Sequence, residues 1–411
     1  MAWDFETDPE FQVKLDWIDG FVREHVEPLD DAFRDPGAPY DRKNPIYKTI
    51  TAPLKGEVKR QGLWACHLGP ELGGLGYGQV KLALMNEILA AYGTPQQKHT
   101  YLEPLLAGDI VSCFSMTEPQ AGADPREFTC RAVCDGDDWV INGEKYFSSN
   151  ADLAEFLITM AITDPTVPVH QGASMFLVPR NTPGLHLVRM AGLADEPLGH
   201  GHHAYIRYQD CRVPAENLLG GPGQAFAIAQ TRLGGGRIHH AMRTMAMVRR
   251  ALRMLCERAL SRRTQGDVLA NKQLVQQYIA DSFIQIEQFR LLVLYAAWHI
   301  DRGHRSEART YIAAVKVQMA EVLHDVVRRA LHVHGALGCS NETPLAALWM
   351  AVPVMGIADG PTEVHKLTIA KQVLKQYQPY EGLWPNEFLP TKVAAARARF
   401  AEYLEHDVGN L

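Results

Sequence analysis

The segment CFSMTEPQAGAD, Cys113 to Asp124, has the residue types of a loop that binds a ligand. It is short, polar and rich in small residues, and Pro119 restricts the backbone immediately after Thr117 and Glu118. Alanine and glycine allow backbone amides to approach a flat or anionic ligand closely. The same composition is common in ordinary turns. The segment is therefore a candidate binding loop, and the rest of the chain decides between binding and an ordinary turn.

A second candidate for chemistry is Asp359, which precedes Gly360, Pro361 and a helix predicted over Val364 to Val373. A carboxylate at such a turn can project into a cleft and act as a base. From residue types alone, the alternative is that Asp359 caps the helix that follows it. Both interpretations predict a turn at this position.

Several histidines lie close together in sequence, but their spacings suit no standard metal site without a carboxylate partner. We therefore predict no metal site, and we consider His200 and His202 as residues that could border a substrate cleft. The clustered histidines are His200, His202, His203, His239, His240, His332 and His334.

Around these candidates, the order of elements is helices, strands, helices. We predict an N-terminal helical domain over residues 1–110, a middle β domain over 111–218, a C-terminal helical bundle over 219–385 and a tail helix over 386–411. The first helix carries Phe11, Leu15, Ile18, Phe21 and Val22 on one stripe. The same region contains the turn-dense Pro70–Gly76 stretch and an apolar run over Val80–Leu89.

The middle region contains short apolar runs separated by turn residues, which predicts an antiparallel barrel or sandwich. Asp135-Gly136 and Asn142-Gly143 are both predicted to form tight turns. The predicted strands are Trp139–Ile141, Phe156–Thr163, Met175–Val178, Leu185–Val188 and Ala204–Tyr208.

Long apolar stripes after Pro222 predict antiparallel bundle helices joined by a turn at Asp301 to Gly303. The two stripes are Val275, Ile279, Phe283, Ile286 and Val293, then Ile312, Val315, Met319, Val322, Val326 and Ala330.

Composition narrows the class of protein. The 411 residues are 46% apolar and 21% charged, which is globular and allows two to four domains. The net charge of -6 comes from mixed signs, so nucleic acid is not an expected partner. Seven scattered cysteines without a CxxC pair indicate reduced thiols and a cytoplasmic location. The acidic N-terminus lacks an apolar signal core, and no run approaches the ~20 apolar residues of a membrane span.

These motifs and this layout resemble the acyl-CoA dehydrogenase family over essentially the whole chain. The loop at Cys113 matches the family's signature (S/C)xxxTEPxxGSD. The resemblance implies a mostly α fold with a central β domain: an N-terminal helical domain, a middle antiparallel β-barrel or sandwich, and a C-terminal four-helix bundle. A narrower resemblance, on His200–Gly220, Arg232–Arg243 and Ala358–Lys366, is to a branch that acts on 4-hydroxyacyl-CoA. Its animal members carry a phosphotransferase-like domain, for which we expect no room in this chain.

The resemblance implies dehydrogenation of an acyl-CoA thioester with FAD. A carboxylate removes the α proton while the β hydrogen leaves as hydride to flavin N5. The base falls at Asp359, where most members have Glu, and its backbone N–H, beside Gly360, would stabilise the enolate oxygen. Because aspartate is one methylene shorter, backbone or substrate must lie closer. Arg237 matches an arginine beside the acyl-CoA, and Ala123 replaces a serine that touches flavin or substrate.

Other residues match flavin contacts of the family. Phe114, Met116 and Thr117 match contacts to the isoalloxazine edge. Within KYFSSNAD, Phe147 stands where a tryptophan packs against the ring, and Ser149 stands where a hydroxyl binds near N5.

The dinucleotide end of FAD is held in the family partly by a neighbouring subunit. Arg263 matches the arginine at the pyrophosphate, Gln273 follows it, and Gly335 and Gly338 permit close approach to the adenosine half. Read without the family, the two glycines mark a helix end and a turn. The resemblance implies a homodimer or homotetramer that passes electrons to an electron-transfer flavoprotein.

Four departures from the family pattern leave alternatives open. About 25 residues that the family inserts near Ala90 are absent, enough for a long helix. Its RTQFG motif is RTQG at Arg263–Gly266, Pro361 replaces a threonine, and Gly236 occupies the position where some members place their base. An acyl-CoA oxidase and a non-catalytic subunit of a heteromeric dehydrogenase are the alternative functions. The acyl group itself is not identified.

Overall fold

The computed structural model describes residues 8–33, 38–64, 94–194 and 196–407. The predicted turn-dense stretch at Pro70–Gly76, the apolar run over Val80–Leu89 and the site of the shortened family segment near Ala90 lie outside the described residues.

The N-terminal part of the described chain is helical, as predicted. Asp8 begins the first helix because its side chain accepts a hydrogen bond from the backbone N–H of Glu10. The predicted apolar stripe of this helix stays about a third exposed, at 36% for Phe11 and 37% for Leu15. The helices are α1 (Pro9–Phe21), α2 (Glu27–Ala32), α3 (Ala52–Arg60), α4 (Pro95–Gln97) and α5 (Glu103–Ala107), with π-helical turns at Val22–Val26, Tyr47–Thr51 and Lys98–Leu102.

The middle of the chain forms one eight-stranded sheet in the order β6-β7-β3-β2-β4-β5-β8, with β1 paired to β4. The predicted strands are confirmed, and most pairings are antiparallel. β4 has two parallel neighbours, β1 and β2, so the sheet is mixed. The strands are β1 (Ser112–Ser115), β2 (Arg131–Asp135), β3 (Asp138–Ser149), β4 (Phe156–Ile162), β5 (Ala173–Pro179), β6 (Leu185–Ala191), β7 (His203–Pro214) and β8 (Leu218–Leu219), with a short helix α6 (Val169–Gly172).

Of the two predicted tight turns, the structure has one. Asp135-Gly136 joins β2 to β3, with Gly136 at φ 65°. The prediction at Asn142-Gly143 is wrong, because these residues lie inside β3 at a register shift against β7. Gly143, at φ 144°, packs against Cys130, whose Cα would lie 2.5 Å from a Cβ at this position. Here the glycine makes a β-bulge and a close strand contact rather than a turn.

The C-terminal part is a helical bundle, as predicted. Its predicted stripes form one buried core, containing Val275, Ile286 and Val293 from one helix and Val315 and Met319 from the next. Phe283 departs from this pattern and is 58% exposed. The elements are α7 (Ala225–Ser261), β9 (Arg263–Thr264), β10 (Asp267–Val268), α8 (Gln273–Asp301), α9 (Arg305–His334), α10 (Leu345–Ile357), α11 (Thr362–Leu374), α12 (Leu389–Arg399) and α13 (Ala401–Asp407).

A separate apolar core joins the sheet to the bundle. The first turns of α7, at Ala225, Ile228 and Ala229, pack in the same cluster as Phe156 and Met175 of the sheet. The start of α7 is therefore held against the β domain, while the rest of the helix runs through the bundle. Mostly α with a central β domain is thus the confirmed fold class.

Within the described ranges, no helix on its own has the length and apolar character to cross a membrane. Among the described helices, one bent pair, α10 and α11, meets those criteria when the two helices are taken together, and the angle between them is 48°.

Candidate functional site

A buried ion pair fixes the candidate binding loop. The Nζ of Lys145 lies 2.9 Å from Oε1 of Glu118, and the two side chains are 0% and 1% exposed. Glu118 also accepts hydrogen bonds from the backbone N–H groups of Thr129 and Cys130. Burial alone would raise the pKa of Glu118, but the charge of Lys145 and these hydrogen bonds hold it below its ordinary value. Glu118 is therefore a fixed anion inside the protein.

The same lysine ties the loop to the end of β3. The Nζ of Lys145 donates to the carbonyl of Met116 at 2.8 Å, and the N–H of Tyr146 donates to the carbonyl of Thr117 at 2.8 Å. Phe114 lies on β1, so the first three residues of the candidate loop, Cys113–Ser115, are strand in the structure. The structure thus brings together the two segments that were predicted to contact the flavin.

Phe147 and Ser149 lie at the end of β3 with their side chains accessible. Phe147 has a positive φ of 53° and is 49% exposed, although its ring stacks on that of Tyr146. The Oγ of Ser149 lies 2.9 Å from Nδ1 of His203, whose pKa is lowered by burial. A half-exposed aromatic ring beside a hydroxyl is a suitable surface for a flat ligand.

Asp359 occupies a strained turn between α10 and α11. It has a φ of 57°, and Gly360 follows at φ 109°. The residue that precedes α11 is Pro361, and no side chain caps that helix. The helix-cap interpretation of Asp359 is therefore wrong. Aspartate is one of the few residues other than glycine that enter the left-handed region readily, and such strain is often found at functional sites.

Described side chains of α7 and α11 lie against Asp359. Arg237 of α7 donates from Nε to the Asp359 carbonyl at 3.0 Å, and Nε2 of His365 lies 3.4 Å from the same oxygen. Nε2 of His240 lies 3.4 Å from the carboxylate oxygen Oδ2. The side chain of Asp359 is 11% exposed, so little water reaches it. The predicted base and the predicted substrate arginine are therefore direct neighbours.

A buried lysine lies behind this turn. Lys316 of α9 is fully buried, and its Nζ donates to the carbonyl of Met355 near the end of α10. Burial lowers the pKa of Lys316 to about 8, although the nearby charge of Asp359 opposes that shift. Burial likewise lowers the pKa of His365 to about 4. His365 is therefore neutral at pH 7, and Arg237 and Lys316 supply positive charge.

The residues matched to the adenosine half lie at one end of the bundle. Gln273 begins α8 and Gly335 ends α9, and these antiparallel helices are joined at their other ends by a short turn. Arg263 lies on the β9–β10 hairpin that links α7 to α8, where its Nη2 donates to the Gly266 carbonyl at 3.0 Å. Gly335 has φ 66°, and a Cβ on Gly338 would lie 2.9 Å from the carbonyl oxygen of Leu331. Gly338 therefore has a packing role in its own helix end.

Ala123 lies exposed in the candidate loop, three residues after Gln120, which donates to Glu118. No group of three His, Cys, Asp or Glu side chains among the described residues could hold a metal ion. The six cysteines in the described part of the chain are free thiols.

Sequence reasoning missed three residues of this site. By sequence, Lys145 is only the first residue of a motif, His240 is only one member of a histidine cluster, and Lys316 belongs to no predicted site. For Lys316 a signal exists: it lies four residues after Ile312 and between Val315 and Met319, on the predicted buried stripe. Because a buried lysine needs a buried hydrogen-bond partner, its position on an apolar stripe marks it as a candidate site residue.

Comparison with known proteins agrees with this architecture. Residues 113–207 match the model of the acyl-CoA dehydrogenase middle domain, and residues 223–374 match that of the acyl-CoA dehydrogenase C-terminal domain. A solved Mycobacterium abscessus structure, assigned as an acyl-CoA dehydrogenase, has a TM-score of 0.81 and 33% identity, covering 91% of this chain and 100% of that one. Butyryl-CoA dehydrogenase from Megasphaera elsdenii has a TM-score of 0.77 and 26% identity, covering 90% and 100%.

Among curated relatives, the Mycobacterium tuberculosis protein named Probable acyl-CoA dehydrogenase FadE2 is 41% identical, over 87% of this chain and 94% of that protein. Acyl-CoA dehydrogenase family member 11 of Rattus norvegicus is 36% identical, over 89% of this chain. The matched region spans only 50% of the rat protein. The chain belongs to the acyl-CoA dehydrogenase family.

Proposed function

We propose that the chain catalyses FAD-dependent α,β-dehydrogenation of an acyl-CoA thioester, with Asp359 as the base that removes the α proton. The observation that carries this proposal is the conformation of residue 359. A carboxylate that is nearly enclosed, on a left-handed backbone held by Arg237 and His365, has few ordinary structural reasons to exist.

The residues around Asp359 suit a base. A carboxylate accepts the α proton best when it is held near the reacting carbon and is ionised before the reaction. The positive charges of Arg237 and Lys316 favour that ionised form. The backbone N–H of Asp359 is our candidate donor to the enolate oxygen, with Gly360 giving the turn its shape.

The residues at the end of β1 and β3 fit a flavin. The half-exposed ring of Phe147 offers an apolar face, Ser149 and Thr117 offer hydroxyls, and the buried Lys145–Glu118 pair fixes both segments. FAD, when bound, supplies the acceptor for the β hydride. Phe114 and Met116 would line the same edge, and Ala123 leaves room beside the substrate.

Assembly into a homodimer or homotetramer is supported by the positions of the remaining predicted FAD contacts. Arg237 and the end of α7 at Ser261 are separated by 24 residues, about 36 Å of helix. The contacts matched to the adenosine half therefore lie far along α7 from the candidate base. Arg263, Gln273, Gly335 and Gly338 would therefore hold the adenosine half of an FAD whose flavin lies in a second subunit.

For the acyl group, we propose a substrate like those of the 4-hydroxyacyl-CoA branch, on the motif resemblance around Arg232–Arg243 and Ala358–Lys366. We further propose an electron-transfer flavoprotein as acceptor and a cytoplasmic location, which the free thiols support.

The test is anaerobic reduction of the purified, FAD-loaded protein by a panel of straight, branched and 4-hydroxylated acyl-CoA thioesters. Wild-type protein should lose the visible absorbance of oxidised flavin with at least one thioester. Asp359→Asn should not, and asparagine suits this test because it also accepts a left-handed backbone. Equal reduction of both proteins would remove Asp359 from the mechanism.

Two further results would select the alternative functions. Peroxide formation without an added acceptor would indicate an acyl-CoA oxidase. A protein that fails to bind FAD alone, yet co-purifies with a second, flavin-binding chain, would indicate a non-catalytic subunit.

A further inference from the structure

The turn between α10 and α11 begins where α10 ends, and the last carbonyl groups of a helix have no partner inside it. Two of these carbonyl groups are satisfied from within the same segment. The N–H of Ala358 donates to the carbonyl of Val354 at 2.9 Å. Oγ1 of Thr362 donates to the carbonyl of Gly356 at 3.1 Å. The carbonyl between these two belongs to Met355, and its partner comes from a different helix.

The carbonyl of Met355 accepts a hydrogen bond from Nζ of Lys316 on α9, 39 positions earlier in the chain. Lys316 is fully buried, and Met355 is 4% exposed. A buried lysine usually pairs with a carboxylate, whereas this contact is to a backbone carbonyl. The C-terminal end of a helix carries partial negative charge, which a cation at that end stabilises. Lys316 therefore caps α10 with a positive charge.

The turn is held on its other side by α7 and α11. Nε of Arg237 donates to the carbonyl of Asp359 at 3.0 Å, and Nε2 of His365 lies 3.4 Å from the same oxygen. A Cβ on Gly360 would lie 2.9 Å from Nε2 of His365, so the backbone packs directly against this ring. Lys316 holds the start of the turn, and these contacts hold the rest. The backbone of residue 359 is therefore placed by three helices.

The charged and titratable groups that face Lys316 lie on α7, on α11 and in the turn itself. They are Arg237, His365 and Asp359. Burial lowers the pKa of Lys316 to about 8; the charge of Asp359 opposes this shift, and that of Arg237 adds to it. Lys316 is therefore mostly an ammonium ion at pH 7, and it loses this charge as the pH rises through about 8.

We propose that Lys316 is a positioning residue: its ammonium group, bonded to the carbonyl of Met355, fixes the end of α10 and so the place from which Asp359 projects. A hydrogen bond from an ionised donor is roughly twice as strong as one from a neutral donor, so the hold on the turn weakens when the ammonium loses its proton. The effect of Lys316 on the reaction rate rests on the proposed role of Asp359 as the base. Its effect on the turn does not.

The first test compares Lys316→Met, which removes the donor and the charge at nearly the same side-chain length, with Lys316→Arg, which keeps both. The readout is anaerobic flavin reduction by acyl-CoA in the FAD-loaded protein. Lys316→Met should slow reduction about tenfold to a hundredfold, because a small displacement of a catalytic group is enough for such a loss. The acyl-CoA concentration at half-maximal rate should change little, and Lys316→Arg should recover part of the rate. An undiminished rate in Lys316→Met would overturn the proposal.

The pH dependence separates the charge of Lys316 from its packing. Lost packing would slow Lys316→Met by the same factor at every pH. Lost charge gives a factor that shrinks as the pH rises through about 8, because wild-type protein then loses the same charge. We therefore expect the ratio of wild-type to variant rates to be larger at pH 7 than at pH 9. A constant ratio would assign Lys316 a packing role alone and would overturn the proposal.

A further readout needs neither turnover nor FAD. Amide hydrogen exchange, followed by mass spectrometry, reports how firmly the turn is held. The peptide that covers residues 354–361 should exchange faster in Lys316→Met than in wild type, while peptides from β3 and β7 should be unchanged. Equal exchange over residues 354–361, or a rise spread evenly over the protein, would overturn the proposal. If wild-type protein reduces no flavin but the local exchange difference is present, the proposed function fails while the role of Lys316 in the turn stands.

A matched control is Lys371→Met, which removes an exposed lysine from the last turn of α11. It changes the net charge by the same amount as Lys316→Met. The control should leave the rate of flavin reduction, its pH dependence and the exchange of residues 354–361 as in wild type. A similar change in this control would attribute the effects to net charge and would overturn the proposal.

Discussion

At the scale of single residues, the Lys145–Glu118 pair is the contact on which the candidate flavin site depends most. Both side chains are almost completely buried, so removing one partner leaves an uncompensated charge inside the protein. We expect Lys145→Met to lower the free energy of unfolding by about 3–5 kcal/mol. It should also lower FAD affinity, because Met116 and Thr117 lose their tie to β3. Denaturant unfolding and flavin titration measure the two effects.

Two controls isolate the charge. Glu118→Gln/Lys145→Met keeps an acceptor for the N–H groups of Thr129 and Cys130 and removes the unpaired charge, so it should recover part of the loss. Arg126→Gln, which breaks the exposed ion pair with Asp124, should change stability little. A loss in Arg126→Gln equal to that in Lys145→Met would contradict the role of burial.

The Lys145–Glu118 pair also predicts that the free energy of unfolding depends on pH. Because the folded-state pKa of Glu118 lies below its ordinary value of 4.5, the pair stabilises the fold fully above pH 4.5. This stabilisation is lost as the pH falls through the folded pKa. Unfolding at several pH values should show the loss below pH 4.5 in wild type and not in Lys145→Met. Parallel curves for the two proteins would show that the pair does not titrate as proposed.

The sequence predicted some residues of the candidate functional site and missed others, for a physical reason. Asp359, Arg237 and the loop at Thr117 belong to contiguous motifs, and the structure brings Asp359 and Arg237 into contact. His240 and Lys145 contact partners 119 and 27 positions away, so no local pattern shows these contacts. Of the three missed residues, only Lys316 had a signal in the sequence, because it is a lysine within an apolar stripe.

At the scale of elements, the bulge in β3 positions the end of that strand. Gly143→Ala would place a Cβ 2.5 Å from the Cα of Cys130 on a backbone with φ 144°. We expect a loss of about 3 kcal/mol or more, because both strain and a backbone clash must be relieved. Gly136 has φ 65° and open space around it, so Gly136→Ala adds backbone strain without a clash. It should lower the free energy of unfolding by about 1 kcal/mol.

Denaturant unfolding of both glycine variants measures this difference. Equal losses would show that the close contact with Cys130 does not shape β3. A large loss confined to Gly143→Ala, together with weaker FAD binding, would connect the bulge to the positions of Phe147 and Ser149.

Gly136 and Gly143 show the limit of predicting turns from the sequence. Asp135-Gly136 and Asn142-Gly143 have equivalent turn sequences, yet only the first is a turn. The difference lies in the neighbouring strand, since Gly143 is required by Cys130 across the sheet. Helix and strand types were predictable from periodicity, whereas the parallel neighbours of β4 depend on contacts that periodicity does not encode.

At the scale of the whole molecule, the proposed shared FAD site can be tested by mixing two inactive variants. Asp359→Asn lacks the base, and Arg263→Ala lacks the proposed contact to the partner's FAD. In a mixed dimer, the Arg263→Ala subunit keeps Asp359 and receives Arg263 from its partner. Co-expression should therefore restore one active site per mixed dimer, although each variant alone is inactive.

Turnover of acyl-CoA by the separated mixed species provides the measurement. Restored turnover requires that Arg263 acts across a subunit boundary. If a mixed dimer binds FAD but does not turn over, Arg263 and Asp359 belong to one site of one chain. That result would contradict the inference from their separation along α7.

The most direct measurement of the central proposal follows the α hydrogen itself. Anaerobic protein is incubated with acyl-CoA in D₂O, and the recovered thioester is examined by mass spectrometry. Wild-type protein should introduce deuterium at the α carbon, and Asp359→Asn should introduce it at least a hundredfold more slowly, the usual contribution of a positioned base being about 10²–10⁴-fold. Equal exchange by the two proteins would contradict the assignment of Asp359 as the base.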